Sequence, residues 1–343
     1  MTARRVLVRL LLVLGGSAGV LHAEGPTGVA RVEMPTELLA PGAALSVAAR
    51  TSFLEGPAVD AAGNLFFSDI INNRILRMTP AGAVSIFRED SGRTNGNTFD
   101  ALGRLISCEG AESGPGGRRR VIRTDLSTGD ITVLTDRYDG KRYNSPNDVC
   151  VDPSGRIWFT DPYYGDDLAS LEMGVEAVYR IELDGRVSRP LAPPRIERPN
   201  GLAVTPDGKA LYLVDSNAEA GGSRKVWAFA IADDGSLGHQ RLIFDFGKGR
   251  GGDGLRLDRR GNLWIAAGTR MPRHGETADV PPGIYVVSPG GKLLGRIPIP
   301  EDLTTNLAFG GLDRKTLFIT AGTAIYKIPV QVEGYSLYPP REP

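Results

Sequence analysis

The chain has 343 residues, with 40 Lys and Arg against 40 Asp and Glu, 41% hydrophobic residues, 44 Gly, 24 Pro, 2 Cys and 3 His. Ample apolar content excludes a disordered chain, and two cysteines exclude a disulfide scaffold. The balanced charge argues against a nucleic-acid binder, which carries a basic excess.

In chain order, residues 1–23 read as an export signal. Arg4 and Arg5 precede an apolar run from Leu10 to Leu21, and Ala23 offers a small residue for cleavage. The run is shorter than the roughly 20 residues of a membrane span, and no Cys stands at the cleavage point for lipid attachment. The expected destination is a periplasm or the cell exterior. The remaining chain has 37 basic against 40 acidic residues, a net charge of −3. Its two histidines, His239 and His274, stand 35 residues apart, with no metal-ligand spacing.

Residues 24–42 read as an N-terminal extension. From residue 43 onward a pattern recurs: an apolar residue, a turn around Gly, then a short β-prone run. It appears at 59–69 (VDAAGNLFFSD), 99–109, 151–161, 204–215, 257–268 and, more loosely, 309–322. The turn glycines are Gly63, Gly103, Gly155, Gly208 and Gly261, with Arg314 in that place in the sixth repeat; the spacings are 40, 52, 53, 53 and 53. Each repeat is followed by a second strand–turn–strand signal, the last being IYKIPVQVEGYSL at 325–337. No segment of ten or more residues after the signal has a helical period. Four short strands per unit, repeated radially, make a propeller. The expectation is an all-β fold over residues 43–343: a six-bladed β-propeller with four-stranded blades around a central metal-binding channel. Residues 43–53 could supply an outer strand that closes the last blade.

Eight residues before each turn position stand Glu55, Asn95, Asn147, Asn200, Asp253 and Asn306. In a propeller, equivalent positions on the innermost strands form a ring on the axis. Two carboxylates and four carboxamides there give an all-oxygen donor set. Without a cation, two desolvated carboxylates repel. Hard oxygen donors select Ca²⁺ or Mg²⁺, so Ca²⁺ is the first choice, with Mg²⁺, Mn²⁺ and Zn²⁺ as alternatives. The competing reading makes these residues polar strand ends and turns.

Several segments are familiar together: Leu54-Glu55-Gly56-Pro57, Ser145-Pro146-Asn147-Asp148, Arg198-Pro199-Asn200-Gly201-Leu202, Gly252-Asp253-Gly254, Phe159-Thr160-Asp161-Pro162 and the run from Thr305 to Gly311. Over roughly residues 45–330 the chain resembles the senescence-marker-protein/gluconolactonase/luciferin-regenerating family. The resemblance implies six blades and a divalent metal held by Glu55, Asn147, Asn200 and Asp253. It makes Asp253 the general base, or a nucleophile as in organophosphate-hydrolysing relatives, and gives Asn147 a role toward substrate or water as well. Asn95 and Asn306 become substrate or water contacts. Two positions depart from the family: Gly110 stands where many bacterial members have His, and Ser145 where regucalcin-like members have Arg. Residues 269–283 form an added loop that could cover the channel mouth.

The implied activity is opening of a lactone, most simply a sugar lactone. The metal would polarise the carbonyl, and Asp253 would take the proton of the attacking water. The partner is then a small-molecule substrate, with neither nucleic acid nor a membrane span in the exported chain; oligomeric state is left open. Rival readings are another ester or phosphoester hydrolase on the same metal, and a non-catalytic binding propeller with a structural metal. Tyr163 and Tyr164, after the Asp161-Pro162 turn, either flank substrate or pack between blades; Tyr163 is the substrate-contact candidate. Cys108 and Cys150 read as thiols, with a disulfide as the alternative. Arg118-Arg119-Arg120 reads as a solvated strand edge. Gly247-x-Gly249-x-x-Gly252 spells a dinucleotide fingerprint, but a strand rather than a helix is expected after it.

Overall fold

A computed structural model describes residues 34–111, 116–165 and 167–338. The export signal expected over residues 1–23 lies outside these residues. Six four-stranded antiparallel sheets follow one another around a ring. Their innermost strands are Leu54–Val59, Thr94–Phe99, Val149–Val151, Pro199–Val204, Gly252–Leu257 and Thr304–Gly310. The protein is a six-bladed β-propeller. Its described residues include one short 3₁₀ turn, Leu168–Ser170, and no α-helix. None of them forms a helix long and apolar enough to cross a membrane.

The repeat glycines have a conformational reason. Gly63, Gly103, Gly155, Gly208 and Gly261 all turn with φ between 71° and 88°, a region that side chains disfavour. Arg314 takes the same place at φ 55°. The turns are pinned by aspartates: Asp60, Asp100, Asp152 and Asp258 each accept a hydrogen bond from the backbone N–H four residues on. Asp152 and Asp258 also take the indole N–H of Trp158 and Trp264 at 3.0 Å.

The apolar core lies between blades. Each joint has its own cluster: Phe66 with Phe99 joins blades 1 and 2, Val121 with Phe159 joins 2 and 3, and Trp158 with Leu213 joins 3 and 4. Val214 with Ile265 joins 4 and 5, Trp264 with Ile319 joins 5 and 6, and Phe318 with Phe67 joins 6 and 1. Second strands such as Leu65–Asp69 are therefore buried on both faces. With apolar burial satisfied at the joints, the axis is left to polar side chains.

The ring closes as residues 43–53 suggested. Ser46–Arg50 pairs antiparallel with Ala324–Pro329 as the outer strand of blade 6. This corrects the sixth strand–turn–strand signal, because its second half finds that edge already taken. Residues 333–338 instead run beneath the channel. Arg259 N–H donates to Glu333 O, Gly334 N–H to Arg314 O and Tyr335 N–H to Leu257 O, while Tyr338 rests 5.7 Å from the ring of Phe99 in blade 2. The tail thus ties blades 5, 6 and 2 together. Three hydrogen bonds at about 1 kcal/mol each and one aromatic pair at about 1 kcal/mol predict that truncation after Val332 lowers stability by about 4 kcal/mol, read as a lower urea midpoint. The described part of the N-terminal extension packs on the propeller too, with Leu38 buried in the joint of blades 5 and 6.

Candidate active site

Each innermost strand starts at one end of the channel, and all six ring positions lie at that end. Glycines explain how close the strands come. A Cβ on Gly56 would stand 2.1 Å from Asn95 O, on Gly96 2.5 Å from Asn147 O, on Gly201 2.3 Å from Asp253 O, and on Gly254 2.2 Å from the Asn306 side chain. The residue after each of four ring residues must therefore lack a side chain. Gly96 N–H donates to Asn147 O at 2.7 Å, joining two blades directly.

Glu55 and Asn306 meet across the closing joint, with Asn306 Nδ2 donating to Glu55 Oε2 at 3.1 Å. The same oxygen accepts from Gly56 N–H at 2.9 Å. Burial pushes the Glu55 carboxyl well above the usual carboxylate range, and the charges of Asp253 and Asp148 push it further. Burial likewise pushes Asp253 up to about 6, against the pull of Arg250. Asn147 is buried and Asn95 partly exposed, and neither side chain makes a hydrogen bond among the described residues.

Asn200 donates from Nδ2 to the Tyr164 hydroxyl at 2.6 Å. Its Oδ1 is buried with no hydrogen-bond partner. This orphaned carboxamide oxygen and the mutually repelling carboxylates Glu55 and Asp253 fit a hard divalent cation. Glu55, Asn147, Asn200 and Asp253 would hold it. No three His, Cys, Asp or Glu side chains gather among the described residues to hold an ion unaided, so the carboxamide oxygens are essential to such a site.

Several residues here had no assignment from sequence. Arg250 Nη2 donates to Asp253 Oδ2 at 2.5 Å, while its Nη1 reaches Thr304 O at 3.0 Å and Gly268 O at 3.3 Å. It holds one carboxylate oxygen, Oδ2, of Asp253. Asp148, next to Asn147, is buried and pairs with Arg256 at 3.3 Å. Tyr164, rather than Tyr163, reaches the ring. Tyr163 is only 7% exposed, and its ring fills the space over Gly165. Tyr164 is 55% exposed as a residue, and its ring centre lies 5.7 Å from the Arg198 guanidinium carbon. Burial of its hydroxyl and the nearby Asp253 charge hold that phenol above its ordinary value.

The loop 269–283 lies at the ring end and is anchored sideways: Gly275 N–H donates to Ala218 O and Thr277 N–H to Lys248 O. Gly110 and Ser145 are neighbours, the hydroxyl of Ser145 lying 3.1 Å from a Cβ placed on Gly110. Arg118-Arg119-Arg120 is no solvated edge: Arg118 and Arg120 pair with the buried Glu109, and buried Arg119 pairs with Glu172. Cys108 and Cys150 are free thiols. The Gly247–Gly252 segment leads into the strand Gly252–Leu257, which excludes a dinucleotide site. At the far end of the channel a cavity of about 130 Å³ is walled by Phe99, Val204, Leu257 and Phe309 and by the tail tyrosines Tyr335 and Tyr338. Its walls hold none of the ring oxygens.

The family model described as "SMP-30/Gluconolactonase/LRE-like region" matches residues 53–323. The chain belongs to this family. Within the SMP-30/gluconolactonase family, a gluconolactonase of Zymomonas mobilis is 32% identical over 309 residues, covering 84% of this chain and 81% of the relative. A 6-deoxy-6-sulfogluconolactonase of Pseudomonas putida is 27% identical over 271 residues, covering 75% and 78%. The solved structure of a gluconolactonase from Xanthomonas campestris superposes with a TM-score of 0.73 at 33% identity, covering 88% and 94%.

Proposed function

We propose that this protein is an exported, metal-dependent lactonase that opens a sugar lactone. The observation that carries the reading is the convergence of Glu55 and Asp253 beside the unpartnered Oδ1 of Asn200. The gluconolactonases among its relatives support the substrate class, and the apolar run after Arg4 and Arg5 supports export to a periplasm or the cell exterior.

A divalent cation bound by Glu55, Asn147, Asn200 and Asp253 would polarise the lactone carbonyl and offset the charge that develops on it. The protein supplies the remaining parts. Arg250 fixes Asp253 by Oδ2, and Oδ1 would accept the proton of the attacking water. Asn306 holds Glu55 in its rotamer, and Asn95 stands at the same end with an uncommitted carboxamide for a sugar hydroxyl. No Ser, Cys or His nucleophile is required.

Metal-stripped protein should not hydrolyse δ-gluconolactone, measured by proton release, and Ca²⁺ should restore turnover ahead of Mg²⁺, Mn²⁺ and Zn²⁺. Saturation at about 100 times Kd should also stabilise the fold by about 2.7 kcal/mol, read as a rise in Tm. Full turnover in metal-free protein would reject the metal requirement; metal binding without turnover on any lactone would reject the activity.

A further inference from the structure

We propose that Tyr164 is a catalytic residue whose hydroxyl donates a hydrogen bond to the departing ring oxygen of the bound lactone. This rests on the lactonase reading and adds to it the group that handles the leaving atom.

The argument starts from how the loop after blade 3's second strand is held. Asp161 accepts the backbone N–H groups of Asn144 and Ser145 at 2.8 and 2.7 Å. Glu176 accepts Tyr163 N–H at 2.7 Å and Arg198 Nε at 3.0 Å. The Arg198 guanidinium then lies 5.7 Å from the Tyr164 ring. These contacts fix the tyrosine at the ring end of the channel although 55% of it is exposed. Its hydroxyl oxygen accepts from Asn200 Nδ2 at 2.6 Å. The O–H proton is therefore left over, and no acceptor takes it among the described residues.

The rest of the site makes that proton valuable. Glu55 and Asp253 are acceptors when charged. Arg250, the cation beside them, donates to Asp253, Thr304 O and Gly268 O. When the acyl carbon–oxygen bond breaks, its electron pair moves onto the ring oxygen. That oxygen needs a hydrogen-bond donor, and Tyr164 offers its O–H at the ring end of the channel. The water's hydroxyl adds to the acyl carbon, and the proton collected by Asp253 ends on the released alcohol. Tyr164 itself gains and loses nothing.

The test compares Tyr164→Phe with the unaltered protein on an aliphatic δ-lactone and on an aryl lactone, whose phenolate leaves with less help. Loss of one donor to developing charge should lower kcat roughly 10²-fold on the aliphatic substrate and far less on the aryl one. Ca²⁺ affinity, titrated without substrate, should be unchanged. An equal loss on both lactones, a change in KM alone, or no change would overturn the proposal. A matching loss of Ca²⁺ affinity would also overturn it, assigning Tyr164 to holding Asn200. Inactivity of the unaltered protein on every lactone would instead remove the underlying lactonase reading.

Discussion

Asp253→Asn is expected to lower kcat by about 10²–10⁴-fold, the range of a lost general base, while the propeller stays folded. Asn has the same shape but takes no proton from water. Two opposing effects keep the fold intact. Arg250 loses its charged partner but keeps the carbonyls of Thr304 and Gly268. Glu55 is relieved of a charge that pushes its carboxyl upward. Metal affinity should fall as well, because the ring loses one of two carboxylates. Steady-state kinetics on δ-gluconolactone, Ca²⁺ titration and a thermal melt measure the three parts separately. Unchanged turnover would remove Asp253 from the mechanism.

Gly201→Ala should destabilise the protein by roughly 3 kcal/mol, the upper end for overpacking. The added methyl would sit 2.3 Å from Asp253 O and 2.7 Å from Leu255 N. Both are backbone atoms of the neighbouring innermost strand, so no flexible side chain can yield. Gly201 does not have a positive φ, so Ala there should otherwise be neutral or favourable through the unfolded state. The sign of the result therefore reports the collision alone. Gly238→Ala, whose nearest neighbour would be Ala230 O at 3.9 Å, is the control. Because the collision pushes on Asp253, turnover should fall together with Tm. A Gly201→Ala protein as stable as the control would mean that the strands around the axis are not so tightly joined.

The blade count and the ring were legible because both follow from one conformational demand. A turn with φ near 80° selects Gly, and a fixed strand length back from that Gly sets which residue faces the axis. The outer strand of the last blade was suggested only by residues 43–53 standing ahead of the first repeat, and Ser46–Arg50 takes that edge. Contacts made through loops were not legible. Arg250 precedes Asp253 by three residues in a segment without periodicity, so nothing local says that it turns back. Arg256 and Asp148 are 108 residues apart. Which of Tyr163 and Tyr164 reaches Asn200 depends on the Glu176 and Arg198 contacts that steer the loop. The tail at 333–338 has β-prone composition, yet edge availability rather than propensity decided its path.

The closing strand also sets when the molecule can finish folding. Ser46 pairs with Lys327 and Arg50 with Ala324, and the joint between first and last blades buries Leu65 and Phe67 against Phe318 and Ile325. A chain growing from its N-terminus can assemble blades 1 to 5, but the outer flank of blade 1 stays uncovered until the last strand is made. Contacts of such long sequence separation form late and slowly. Throughout synthesis the chain is an open arc with an apolar face awaiting its other end, and until then Glu55 and Asn306, at opposite ends of that arc, have not met.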